Sequence, residues 1–169
     1  SYIREAIIEP TISQDVLALE DIRKPALMRA LFRLGATYSA RELSYTKMLG
    51  QLQDAGNTVT VAHYLDLLDK AGMLCGIQKY DAKEVRRRKS SPRFMVYDTS
   101  LMTASSGIEK SRYLGEPDLR GHLVESAVGA RLLARASEEG LGVYWWREGI
   151  KEVDFVVSKG FDSLSAIEV

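Results

Sequence analysis

Cysteine is almost missing: Cys75 is the single thiol among 169 residues. One cysteine cannot close an internal disulfide or build a multi-cysteine zinc site. Its apolar setting in "AGMLCGI" predicts a buried, inert thiol. Histidine is as scarce, with only His63 and His122, neither partnered at ligand spacing; both read as structural. Net charge is missing too, since 23 Lys and Arg balance 23 Asp and Glu. No global field draws the chain to nucleic acid or membrane, so any such attraction has to be local. No apolar run approaches the ~18 residues of a bilayer span, and the start lacks a signal-peptide core. The sequence therefore predicts a cytoplasmic protein with no membrane partner. A Gly-rich phosphate loop ending in Lys-Ser/Thr is absent, which excludes ATP binding of that kind by these residues. No G-x-S-x-G nucleophile motif occurs either.

What is present is globular in kind, with 46% hydrophobic and 27% charged residues. The opening stretch, residues 1–22, reads as an arm: it starts on Ile7 and Ile8 and is broken by Pro10. Helical spacing begins at Pro25, where Leu27, Leu31 and Leu34 mark one face and Gly35 predicts the stop. A second helix is predicted from Ser39, with Glu42 completing a capping box. Asn57 predicts the cap of a third, whose buried stripe is Val61, Tyr64, Leu65 and Leu68. Two strand-like runs follow, "MLCGIQKY" and "RFMVYD", joined by "DAKEVRRRKSSP". Three helices and then a hairpin with a long basic tip is the order of a winged helix-turn-helix over 23–99.

Residues 100–116 read as a Ser- and Gly-containing connector, and 117–169 as a second module. That module opens with the helix "DLRGHLVESAVGARLLARASEEG" and continues with "GVYWWRE", "KEVDFVV" and "LSAIEV". The first two of these strands are joined by a tight turn at "GIK". The predicted class is α+β, with two separate modules.

The acids of the second module carry the functional argument. Strand alternation puts Val153, Phe155 and Val157 on one face and Asp154 with Val156 on the other. Glu168 shares a face with Leu164 and Ala166. A carboxylate among apolar neighbours needs a compensating charge. A hard divalent cation such as magnesium would supply it, and so would a Lys or Arg. Glu125 lies on the helix face opposite Arg131 and Arg135, beside Gly129, where another backbone could approach. Glu125, Asp154 and Glu168 thus become one candidate metal-ligand set, with hydrogen bonding of Glu125 to His122 or Arg131 as the alternative.

Six basic residues, Lys83, Arg86, Arg87, Arg88, Lys89 and Arg93, crowd the hairpin tip. They are the candidate phosphate contacts, since clustered Lys and Arg on a wing suit nucleic acid. Asp66 and Asp69 on the third helix oppose base reading by that helix. Trp145 and Trp146 point to opposite strand faces, which predicts one of them in the core.

A helix with Glu, a hairpin with Asp and a strand with Glu-x resembles the PD-(D/E)XK nuclease superfamily. The resemblance implies a truncated restriction-endonuclease-like α/β module with Asp154 and Glu168 as catalytic acids and Glu125 beside them on magnesium. It also implies a lysine at the position after Val169, so the chain is expected to break off inside the motif and to be silent as an enzyme by itself. More widely, "SYTKMLGQLQDAGNTVTVAHYLDLLDKAGML", "SSPRFMVYDTSLM" and "LVESAVGARLL" with "YWWREGIKEVDFVV" are similar to the uncharacterised C-terminal region of bacterial and archaeal AAA-type ATPases. That similarity implies an arm leading from a missing ATPase core that holds the ATP. The implied partners are nucleic acid, the chain's own ATPase core and, through the edge strand "LSAIEV", a second copy. The alternative function is a non-catalytic module that couples the ATPase to a protein partner.

Overall fold

Pro25 opens helix α1 (Pro25–Thr37), a position where the missing N–H costs no intrahelical bond. In the computed structural model, which describes residues 2–16, 18, 22–81, 90–160 and 163–169, this helix runs through Gly35 instead of stopping there. Gly35 answers to packing: a Cβ on it would lie 2.3 Å from Leu74 Cδ2. The next helix, α2 (Tyr45–Gln51), is capped by Ser44, whose hydroxyl accepts from the Lys47 N–H. The expected start at Ser39 is thus corrected. Ala40 turns the chain at φ +64°, and the segment that follows meets Arg93 through an isolated antiparallel bridge at Glu42. Helix α3 (Thr58–Lys70) starts as expected on Asn57, which accepts from the Thr60 N–H. It buries the expected Val61, Tyr64, Leu65 and Leu68.

The hairpin strands are β1 (Leu74–Lys79) and β2 (Arg93–Val96); the tip residues Lys83, Arg86, Arg87, Arg88 and Lys89 lie outside the described residues. The expected connector is helical, forming α4 (Thr99–Ser106) and α5 (Lys110–Gly115). Asp98 caps α4 and Gly107 ends it in the left-handed region, while Leu101, Met102 and Tyr113 bury enough apolar surface to hold the pair in place. The long helix α6 (Pro117–Glu139) follows, then β3 (Gly142–Glu148), β4 (Lys151–Lys159) and β5 (Ser163–Ile167).

The expected separation into two modules fails at the sheet. All five strands join in the order β2-β1-β3-β4-β5, so "RFMVYD" and "KEVDFVV" share one sheet. On its side away from β2, β1 offers Gln78 and Lys79, and β3 takes them in parallel pairing with Tyr144 and Trp145. Unpaired strand edges leave backbone groups unsatisfied, and this junction satisfies them. The architecture is α+β around a mixed five-stranded sheet.

Two cores flank the sheet. Leu74, Phe94 and Val96 face the helical core with Leu27, Phe32 and Leu68. The arm joins that same core through Ile8, Ile12 and Val16, so its described residues 2–16 pack on the chain's own helices. On the other face, Cys75, Ile77, Met95, Trp145 and Phe155 cluster beneath Val128 and Leu132 of α6. Helix α6 comes close because residue 129 is glycine: a Cβ there would sit 2.4 Å from Met95 Sδ. The close approach is therefore to a side chain and not to the backbone foreseen. A buried bond from Ser126 Oγ to Ser39 Oγ, 2.8 Å, fixes α6 over the helical half.

Candidate functional site

A β-bulge builds the site. Tyr144 pairs with Val156 and Trp146 with Val153, so β4 spends three steps where β3 spends two. Asp154 and Phe155 therefore both oppose Trp145, and the alternation of faces resets between them. The expectation that Asp154 faces away from Phe155 is corrected: Phe155 clusters with Trp145, and Asp154 reaches the arginine stacked on that same indole. This arginine is Arg93, its Cζ 5.1 Å from the Trp145 ring centroid.

Arg93 was expected on the basic tip, facing phosphate. It stands instead on β2 with only 5% of its side chain exposed, paired through Nη2 with Glu152 Oε1 and through Nη1 with Asp154 Oδ1 at 3.5 Å. Its position follows from strand register, because Arg93 pairs with Ile77 on the α6 face of the sheet. The segment after α1 runs along the outer edge of β2, with the Ala40 N–H donating to Phe94 O and the Phe94 N–H to Arg41 O. That segment brings Arg41 and Glu42 to the same place. Arg147 closes the network: Nη1 lies 2.8 Å from Glu42 Oε1 as an ion pair without hydrogen-bond alignment, and Nη2 lies 2.9 Å from Glu152 Oε2.

The result is a cleft of about 660 Å³ whose lining includes Glu125, Asp154 and Glu168. The three acids singled out from the sequence all line this cleft. Asp154 continues the β4–β5 register in which Phe155 pairs with Ile167, so Glu168 lies beside it. The Val169 N–H donates to Asp154 Oδ2 at 3.0 Å. Glu125 enters from α6, with Oε2 3.8 Å from His122 Nδ1. A larger cavity of about 930 Å³ beside Arg23, Lys24 and Arg33 shares no lining residue with this cleft, and none of the acids reaches it.

The electrostatics divide the acids. Burial, and then the charge of Asp154, push the Glu125 carboxyl above its ordinary range. Burial alone would raise Glu152 as well, but bonds from Arg93 and Arg147 more than reverse it, so Glu152 is held below its ordinary range. Burial and the nearby Arg41 hold His122 low, which keeps it neutral at pH 7. Among the described residues, no group of three or more His, Cys, Asp or Glu is placed to hold a metal ion. The charge of Glu152 and Asp154 is met by a guanidinium. The carboxylates as they stand do not fit a cation.

Residues 1–112 match the family described as Domain of unknown function (DUF8612). The chain belongs to this family. No curated protein and no solved structure matches it. The family stretch supplies Arg41, Glu42, Lys47 and Arg93 to the cleft, while Glu125, Asp154 and Glu168 lie beyond the matched residues. The site is thus composite, and its basic side comes largely from the family domain. No helix among the described residues is long and apolar enough to cross a membrane.

Sequence reasoning missed Glu42, Glu152 and Arg147. Arg147 and Glu152 had a legible signal, being opposite-charge partners across the turn of "REGIKE". Glu42 and Arg93 had none, because they meet only after β2 takes its edge. The expected division of the tryptophans holds, with Trp145 3% exposed and in the core.

Proposed function

We propose that this chain is a nucleic-acid-engaging module of an AAA-type ATPase, with a nuclease-like cleft that is silent in the arrangement described. The observation that carries the reading is that Glu125 from a helix, Asp154 from the second strand of a hairpin and Glu168 from the end of the next strand all line one cleft. That is the order of acids in the nuclease-like motif. Arg41 and Lys47 on the rim of the same cleft suit a phosphate-bearing partner. Magnesium and ATP belong to this proposal through the resemblance, with ATP held by other parts of the ATPase.

The test is binding of duplex and single-stranded DNA as a function of salt. Replacing Arg86, Arg87 and Arg88 by alanine removes up to three phosphate contacts, so the slope of log K against log salt should fall by about 2–3. Absence of binding by the wild type at low salt would refute nucleic-acid engagement.

A second reading has its own support. Arg93 and Arg147 already compensate Glu42, Glu152 and Asp154, as expected of a relic that serves as a protein-docking module. Under that reading, partner affinity changes little with salt.

A further inference from the structure

The cavity of about 930 Å³ takes no part in the cleft, and its lining falls wholly within residues 23–106, inside the family match. One face of α1 borders it: Ala26, Ala30, Leu34 and Thr37 all line it, at the spacing that stacks side chains over successive turns. From residue 26 to residue 37 that face is about 16 Å long, roughly three turns. Gln51 and Leu52 at the end of α2 form one side, and Ser105 and Ser106 at the end of α4 another. We propose that this groove is a docking site for an acidic amphipathic helix of a partner protein. The site stands apart from the acids of the cleft and does not rest on their nuclease-like reading.

Three observations support it. The first is shape. Ala26 and Ala30 stand one turn apart and carry only a methyl each, so a docked helix can close to the short end of the ~8–10 Å interaxial range. Ala30 and Leu34 pack on the helical core but stay only half-buried, which leaves apolar surface for a partner's own stripe. The second is backbone. Among the described residues, every one that lines the groove belongs to a helix, a helix end or a turn. No strand edge is on offer to an extended peptide, and no aromatic side chain lines the groove to receive a polyproline segment. A helix laid in the groove is the mode that remains.

The third is charge. Lys24 is already engaged: its Nζ lies 2.8 Å from Asp54 Oδ1 and donates to Asp54 O at 2.8 Å. Asp54 is the one acid in the lining among the described residues, so that pair closes on itself. Arg23 and Arg33 are left over, both exposed and, among the described residues, without an ionic or hydrogen-bonded side-chain partner. Arg29, on the same helix, does have one, Glu9 Oε2 at 3.0 Å. Arg23 precedes Ala26 in the chain and Arg33 follows Ala30, so acids about three turns apart on a docked helix reach both. The apolar face supplies affinity and the two arginines select the partner. Nucleic acid fits less well, since two cations beside an apolar helix face offer few phosphate contacts and no aromatic ring to stack on a base.

The experiment is selection of random 16-residue peptides, displayed on phage, against the full chain, with Arg23→Glu/Arg33→Glu as the counter-selected control. Enriched peptides are synthesised and their binding read by fluorescence anisotropy, with fold of each protein and helicity of each peptide followed by circular dichroism. The expected peptides carry apolar residues at helical spacing flanked by Asp and Glu, and gain helicity on binding. Arg23→Glu/Arg33→Glu turns two exposed attractions into repulsions and should weaken binding by about tenfold. Ala26→Trp, at an exposed position, fills the groove and should weaken it at least as much. Peptides with Gln in place of their acids should bind less tightly and lose little more on the arginine variant. No enrichment that depends on the two arginines overturns the proposal, and so does binding that Ala26→Trp leaves intact. Duplex DNA that competes with the peptides and weakens in parallel with both variants overturns it in favour of nucleic acid. Self-association of the wild type that both variants abolish overturns it in favour of a second copy. Failure of the wild type to bind DNA refutes the function proposed above and leaves this docking site standing. If Ala26→Trp does not fold, the arginine variant and the Gln peptides decide.

Discussion

Arg93→Met removes the guanidinium and keeps a side chain of similar length against Trp145. Breaking a fully buried ion pair from one side costs about 3–5 kcal/mol, because a charge is left uncompensated. Exposed pairs are worth about 0–1 kcal/mol. This site lies between those limits. Glu152 is 34% exposed and keeps Arg147, so little of its charge is stranded. Asp154 is 13% exposed and loses its arginine, but retains the Val169 N–H. The expected loss is about 1–3 kcal/mol. For a chain of this length, that lowers Tm by about 2–12 °C. Asp154→Asn leaves Arg93 on Glu152 and should cost at most about 1 kcal/mol. The double variant should recover part of the single losses, since the stranded carboxylate is gone. Urea denaturation followed by circular dichroism measures all three. Arg93→Met as stable as wild type, or Asp154→Asn costing as much as Arg93→Met, would refute the description of Arg93 as the central counter-charge.

Two further outcomes test the setting of the cleft. Gly129→Ala gains about 1 kcal/mol of helix propensity but drives a methyl to 2.4 Å from the buried Met95 Sδ, an overpacking cost of about 1–3 kcal/mol. A net loss of up to about 2 kcal/mol in urea denaturation is expected, reversing to a gain in a Met95→Ala background; an unconditional gain would show that α6 does not seat there. Glu125 is raised in the folded protein, so folding favours its protonated form, and stability is lost as pH climbs from the unfolded value of about 4.3 through the folded one. Glu125→Gln should therefore melt above wild type at pH 7, with the difference shrinking toward pH 4, and a constant or reversed difference would remove Glu125 from the buried part of the cleft.

Elements with a strong local signal were legible from sequence. Asn57 caps α3 because an Asx side chain satisfies an orphan N–H whatever surrounds it. The β3–β4 turn forms at Gly149, whose φ of +60° is cheap for glycine alone. The three acids of the cleft were also legible as candidates, because carboxylates in apolar strands stand out against their neighbours. Local signals misled where packing outweighed them: Gly35 reads as a helix stop but serves contact with Leu74, and the "connector" became α4 and α5 because Leu101, Met102 and Tyr113 found a core.

Only the tertiary structure decided what neutralises the acids. The sequence determined that Asp154 needed a counter-charge, since that follows from the desolvation of any carboxylate. Which charge answers depends on two long-range events. A bulge in β4 turns Asp154 toward Trp145, and the junction of β1 with β3 puts Arg93 in the same sheet. Neither leaves a periodic trace, because a bulge is a single extra residue and pairing Gln78 with Tyr144, 66 residues on, costs loop entropy that no local pattern records. The side chain that reads in sequence as part of a basic tip therefore becomes, in the fold, the cation at the centre of the cleft.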